Sequence, residues 1–229
     1  MKKEEIITLI LIILFFAITI WWLFFRKARN TWKKFWEDVL YGVISKEEGF
    51  NTPCNSFYSS GCHGKRYTDV LHLDSGTIGI AHFASSGLCR IYEKIDTQFY
   101  FNKSQSEMCN NYASKTSGAS DHQWWVDGFT EFVNSSESKK IQDQSFQEAR
   151  QGAVNDAMGY GGWTTNREMA IAVGVSNSYG NSGFADIANN RNWEPETIID
   201  WYGAQSSHKN KRKIQIDKWF PKNKQKKLV

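Results

Sequence analysis

A chain of 229 residues in which 41% are hydrophobic and 15% aromatic has enough apolar material to bury a core, which excludes a disordered polymer. Its net charge of +4 hides an uneven distribution: residues 1–30 hold five basic and two acidic groups, residues 208–229 hold nine basic and one acidic, and the body between them is acidic at −7. No phosphate-cradling glycine loop, nucleophile elbow or tightly paired cysteine metal motif occurs, so nothing points to a nucleotide, a resident metal or another cofactor.

Residues 6–25, IITLILIILFFAITIWWLFF, are apolar or nearly so and carry no charge. At helical rise, twenty such positions cross the roughly 30 Å of a bilayer's hydrocarbon core. The run is longer than a signal-peptide core, lacks a small-residue cleavage site, and ends in Trp21-Trp22 and then Arg26, Lys27 and Arg29, the residue types that anchor a helix at an interface. The chain therefore divides into an N-terminal transmembrane anchor, residues 1–30, contacting the lipid bilayer through residues 6–25, and one domain, residues 31–229, ending in a basic tail. That tail, KNKRKIQIDKWFPKNKQKK, reads as a solvated end or as a patch attracting anionic lipid or cell wall; nucleic acid is not the expected partner.

After the anchor, Trp32, Phe35, Trp36, Val39, Leu40, Val43 and Ile44 recur at intervals of three and four, predicting an amphipathic helix over 30–46 that stops at Glu47-Glu48-Gly49. Residues 51–64 are rich in Asn, Ser, Pro, Gly and Cys and read as a loop. Residues 67–83 mix β-branched residues with Gly76 and Gly79 and predict a short strand or hairpin. Helices are expected over 88–100, 121–133, 145–158, 167–176, 195–202 and 209–219, with loops at 159–165 and 177–183. The expected fold is α+β: mainly helical, with a small β element, preceded by one transmembrane helix.

Four cysteines, Cys54, Cys62, Cys89 and Cys109, form an even set behind an export-competent helix and favour two disulfides. Nearest-neighbour pairing gives Cys54–Cys62 and Cys89–Cys109. The alternatives are zinc at Cys54…Cys62-His63, which lacks the tight pair of structural sites, or buried free thiols. His63, His72 and His122 have no metal-ligand partners at useful spacing. Orientation stays open, because the lysines and arginines behind the helix predict a cytoplasmic domain whereas disulfides predict an exported one. A virion membrane reconciles the two, since its final compartment is not the one of insertion.

The stretch with chemical content is a glutamate at a helix end, a loop, and then Leu73-Asp74-Ser75-Gly76-Thr77-Ile78-Gly79-Ile80-Ala81-His82-Phe83. Cleaving a glycosidic bond needs a carboxylic acid to protonate the departing oxygen and usually a second carboxylate to steer water or stabilise the transition state. A helix-end Glu48 beside Phe50 can remain protonated, while an Asp74 in a polar turn stays ionised, and Thr77 offers a hydroxyl for water.

The segment Ile44-Ser45-Lys46-Glu47-Glu48-Gly49, followed by Asp74-x-Gly-Thr77-Ile78-Gly79-Ile80-Ala81-His82, resembles phage-type lysozymes, and the run from Gly76 to Gly87 is similar to chitosanases; both belong to the lysozyme-like superfamily. The resemblance implies a lysozyme-like domain with Glu48 as general acid, Asp74 as base and Thr77 as water-positioning hydroxyl. Two departures stand beside it: Asp74 is closer to Thr77 than in either family, and the loop between Glu48 and Asp74 is long and holds two cysteines; Asp69 is the alternative to Asp74, and Glu47 the alternative acid. His82 is either a structural hydrogen-bonding histidine or a subsite contact. Tyr160, Trp163, Asn177 and Tyr179, in the glycine- and asparagine-rich loops, are candidate sugar contacts or ordinary connections. The expected activity is hydrolysis of a β-1,4-linked amino-sugar polymer, with peptidoglycan as the partner. A lytic transglycosylase, a chitosanase and a non-catalytic virion or membrane protein are the alternatives.

Overall fold

The computed structural model describes residues 3–44, 70–71, 77–78, 86–113 and 119–228. Helix α1, Lys3–Asp38, continues into a π-helical segment, Val39–Ile44, with no break between the apolar run and the amphipathic one. The two parts have opposite surroundings. Leu11–Leu23 and Phe25 are largely exposed, with hydroxyls such as that of Thr19 turned back onto the helix's own backbone at the Phe15 carbonyl, 2.8 Å away. This helix is long and apolar enough to cross a membrane. Beyond it Phe35, Trp36, Val39, Leu40, Val43 and Ile44 are buried, the face that the three-four spacing predicts.

The described domain is mostly helical. A two-residue antiparallel pair, β1 (Val70–Leu71) and β2 (Thr77–Ile78), sets Val70 opposite Ile78 and Leu71 opposite Thr77. The helix expected over 88–100 is two: α2, Ser86–Tyr92, and α3, Thr97–Phe101, because Asp96 caps α3 by accepting a hydrogen bond from the Phe99 amide at 3.0 Å. Helix α4, Gln105–Tyr112, follows, with the Ser104 hydroxyl accepting from the Glu107 amide. The expected Cys89–Cys109 bridge ties α2 to α4. Cys54–Cys62 lies outside the described residues.

Helix α5, Gln123–Asn134, buries Trp125, Phe129, Phe132 and Val133 on one face and packs beside β1. The Trp125 indole donates to the Tyr92 hydroxyl at 2.9 Å, and that hydroxyl donates to the Tyr112 carbonyl. Burial raises the Tyr92 phenol well above its ordinary range, so it stays a neutral donor.

Helices α6 (Ser138–Gly159) and α7 (Asn166–Asn189) form the broadest helix pair, and α8 (Pro195–Ala204) and α9 (Ser207–Trp219) close the domain. A reciprocal cap starts α7: Thr165 accepts from the Glu168 amide while Glu168 accepts from the Thr165 amide. α9 packs against the π-helical segment, where a side chain on Gly42 would fall 2.3 Å from the Trp219 ring, so only glycine permits that approach.

The expected loop at 177–183 is helical except at one residue. Gly180 has φ 75° and ψ 174°, breaking α7 so that Phe184 returns to meet Trp163, with ring centroids 5.9 Å apart. Those angles are open to glycine and nearly closed to other residues, although no described residue lies within 4 Å of the site of an added Cβ. Gly180→Ala is expected to lower stability by about 1–3 kcal/mol through backbone strain alone. An unchanged urea midpoint counts against that conformation.

The basic tail is pinned rather than loose. The amide of Asn166 donates to the Lys226 carbonyl at 2.9 Å, the Lys226 amide donates to the Asn166 side chain, and the Leu228 amide donates to the Thr164 carbonyl. Phe220 is buried against Phe35, with 6.0 Å between ring centroids. Under it lies Arg167, 1% exposed, whose guanidinium donates to both Glu196 oxygens, to Asp217 and to the Phe220 carbonyl, all at 2.6–2.9 Å. Burial pushes both carboxyls up, but hydrogen bonds from Arg167, Lys222 and Lys213 outweigh it and hold Glu196 below 4.5 and Asp217 below 3.8. Groups with depressed folded-state pKa values stabilise fully above their ordinary values and lose that contribution as pH falls through the folded ones. Stability is therefore expected to be flat with respect to these groups near neutral pH and to fall as pH drops through the ordinary carboxylate range toward the lower folded-state values. Urea midpoints measured against pH check this, and a midpoint rising on acidification contradicts it.

Candidate functional site

The described core segment ends at Ile44, before the first expected catalytic residue in the sequence. Val39, Leu40, Val43 and Ile44 are buried, and Glu48 comes four positions after Ile44. The pair β1–β2 flanks residues 72–76, which include Asp74, and β2 begins at Thr77. Glu47, Glu48, Asp69, Asp74 and His82, with His63 and His72, lie outside the described residues, and Thr77 is described only in its backbone.

The candidate sugar contacts divide. Trp163 is a correction: it is 3% exposed, its indole donates to the Trp193 carbonyl at 2.9 Å, and it packs on Phe184 and Trp193. A ring enclosed in this way offers no face to a sugar. Asn177 is half-buried within α7 rather than on a loop. Tyr160, 76% exposed, lies beside Trp193, with 5.8 Å between ring centroids. Tyr179 is half-buried among Trp201, Tyr202 and Lys209, whose ammonium hydrogen-bonds its hydroxyl and lies 4.3 Å from its ring centroid.

Two tryptophans that sequence reasoning missed extend these contacts. Trp193 and Trp201 are half-buried, and the Arg191 guanidinium lies 3.9 Å from the Trp201 ring centroid. Trp193 has φ 56° and follows Asn192 at φ 51°, a left-handed turn that is rare for a bulky residue. Three hydrogen bonds fix it: its amide donates to the Ala188 carbonyl, its indole to Asn189, and its carbonyl accepts from Trp163. The turn thus joins a Tyr160–Trp193 pair to an Arg191–Trp201–Tyr179–Lys209 group. Partly exposed rings beside cations suit the apolar faces of sugar rings and their carboxyl or hydroxyl groups. No sequence signal beyond the abundance of tryptophan marks this strip.

A second cluster lies inside. Arg212, 2% exposed on α9, donates to the Gly174 carbonyl, the Ser178 hydroxyl and the Tyr202 hydroxyl at 2.7–2.8 Å. Arg150 on α6 donates to the Ser176 carbonyl at 3.1 Å, and its Nε has no hydrogen-bond partner among the described residues. Burial, and then the charges of Arg212 and Arg90, push the Arg150 guanidinium down to about 10. It remains charged at neutral pH, giving the packed junction of α6, α7 and α9 a positive interior.

Cys89, Glu93 and Cys109 are close enough together to suggest metal ligation, but the disulfide occupies both thiols. His122 is stacked on Trp124, with ring centroids 5.6 Å apart. No family model matches the chain, and no curated protein or solved structure is significantly similar to it.

Proposed function

We propose that the chain is a membrane-tethered glycoside hydrolase that cleaves a β-1,4-linked amino-sugar polymer, with peptidoglycan as substrate. Glu48 is the general acid, Asp74 the base and Thr77 the hydroxyl that positions water. One observation carries the reading: a buried helical segment ends four residues before Glu48, and a short antiparallel pair then brackets Asp74 and starts its second strand at Thr77. In sequence, Glu48 thus follows a buried helical segment while Asp74 and Thr77 come later, the second at the start of a paired strand, and this order supports assigning them as the acid, the second carboxylate and the hydroxyl that glycosidic cleavage uses. The resemblance of the surrounding sequence to lysozyme-like enzymes supports the same roles, and the aromatic strip supplies stacking surfaces for a glycan. Helix α1 anchors the enzyme in a bilayer.

Incubating the detergent-purified full chain with purified peptidoglycan and weighing the fragments tests the reaction. Fragments with ordinary reducing ends support hydrolysis, anhydro-sugar fragments lighter by one water identify a transglycosylase, and intact sacculi reject both. Full chain that stays in buffer without detergent rejects the anchor separately.

A further inference from the structure

Between the membrane-proximal part of α1 and the folded-back tail lies a groove of about 780 Å³. Six cations line it: Arg26, Lys27 and Lys34 from α1, and Lys218, Lys224 and Lys226 from the end of α9 and the tail. Among the described lining residues the one acid, Asp38, is already paired with Lys34 at 3.2 Å. Leu23, Trp219 and Leu228 supply apolar wall, and Trp219 is 39% exposed.

We infer that this groove binds the phosphate headgroup of an anionic glycerophospholipid from the bilayer that α1 enters. The inference rests on α1 being an anchor. The groove begins at Leu23, where the exposed apolar face of α1 gives way to Arg26 and Lys27, so its mouth stands at the depth of headgroups. Arg26 lies over the Trp22 ring, 5.2 Å from its centroid, an arrangement suited to the interface between acyl chains and water. The far wall is held in advance: hydrogen bonds from Asn166 and Thr164 fix the backbone at Lys226 and Leu228, so the tail's cations need little ordering when an anion arrives. The volume falls in the range of sites for a molecule of headgroup size. Clustered cations attract anionic lipid in a salt-dependent way, and the adjoining exposed leucine and tryptophan favour a ligand with an acyl chain over a wholly soluble polyanion.

The test uses the full chain, purified and delipidated in nonionic detergent, then mixed with micellar dioleoyl-phosphatidylglycerol or dioleoyl-phosphatidylcholine. Native mass spectrometry counts the lipids retained. The expected result is one phosphatidylglycerol retained at least about tenfold more tightly than phosphatidylcholine, a preference that shrinks as salt rises. The triple variant K218Q/K224Q/K226Q should lose the preference, and K218R/K224R/K226R should keep it. If the glutamine triple loses its helical circular dichroism, K224Q alone, on the exposed tail, takes its place and should weaken the preference at least threefold. Equal retention of the two lipids, or a preference unchanged in the glutamine variant, overturns the site while leaving the anchor standing. Displacement of the lipid by millimolar glycerol phosphate, or by a single-stranded oligonucleotide of about 20 nucleotides at lower concentration than the lipid, also overturns it by assigning the groove to a soluble anion.

Discussion

Glu48→Gln is expected to abolish peptidoglycan cleavage while leaving the helical circular dichroism unchanged. The amide keeps the shape of the side chain but has no proton to give the departing oxygen, and general acid catalysis contributes about 10²–10⁴-fold. Asp74→Asn separates the two mechanisms. An inverting hydrolase needs the second carboxylate to steer water and should be nearly dead, whereas a transglycosylase should tolerate the change. Loss of activity in Glu47→Gln with full activity in Glu48→Gln moves the acid by one position, and Asp69→Asn is the matching control for the base. Activity surviving in the Glu47, Glu48 double variant removes the catalytic assignment altogether.

The largest stability effect is expected at Arg167. Its guanidinium serves Glu196, Asp217 and the Phe220 carbonyl at once, from a position 1% exposed. Arg167→Met fills a similar volume but takes the guanidinium from two carboxylates, which keep Lys222 and Lys213, and from the Phe220 carbonyl; removing one partner of a buried ion pair costs about 3–5 kcal/mol. Both carboxylates are 37% exposed and can turn to water, so the lower end, about 3 kcal/mol, is expected, or roughly 6–12 °C in melting temperature. Arg167→Lys keeps the charge but cannot present a planar fork to three acceptors, and should fall between wild type and methionine. The tail gives a second readout, since releasing Phe220 and Asp217 should expose the segment after Trp219 to proteolysis earlier than the rest of the chain. A methionine variant as stable as wild type contradicts the proposed role of the ion network.

The helices with a clear three-four apolar rhythm were legible in the sequence, because burial of one face decides both the rhythm and the packing. The helix expected over 30–46 is continuous with the apolar run, and α5 begins and ends close to its expected bounds. Local chemistry overrode rhythm at Asp96, whose capping hydrogen bond divides α2 from α3. The missed α4 carried a readable sign, Ser104 three residues before Glu107, the spacing of a helix cap. Residues 177–183 misled because Asn, Ser and Gly favour turns on their own, whereas here packing decides. Ser178 bonds the Tyr202 hydroxyl and Asn181 donates to the Ala149 carbonyl, leaving only Gly180 outside helical geometry. Trp163 misled for a similar reason: flanking glycines suggest surface, but the return of α7 at Gly180 covers the ring. Pairwise chemistry across the fold, as at Arg167 with Glu196 twenty-nine positions away, leaves no local trace. The charge of the tail was plain in composition, but its attachment to residues 164–166 depends on two backbone hydrogen bonds and one to the Asn166 side chain, pairings across the fold that leave no local pattern.

Helix α1 runs 36 residues without a hinge before its π-helical end enters the core, a rod of about 54 Å at 1.5 Å per residue. If that rod crosses a bilayer, its tilt dictates the attitude of the whole domain, which leans as the rod leans instead of swinging on a tether. Such a body sweeps only a thin shell next to the lipid. Splicing a few glycines and serines between Arg29 and Asn30 would turn the rigid mast into a leash, trading a fixed posture for a longer radius of action.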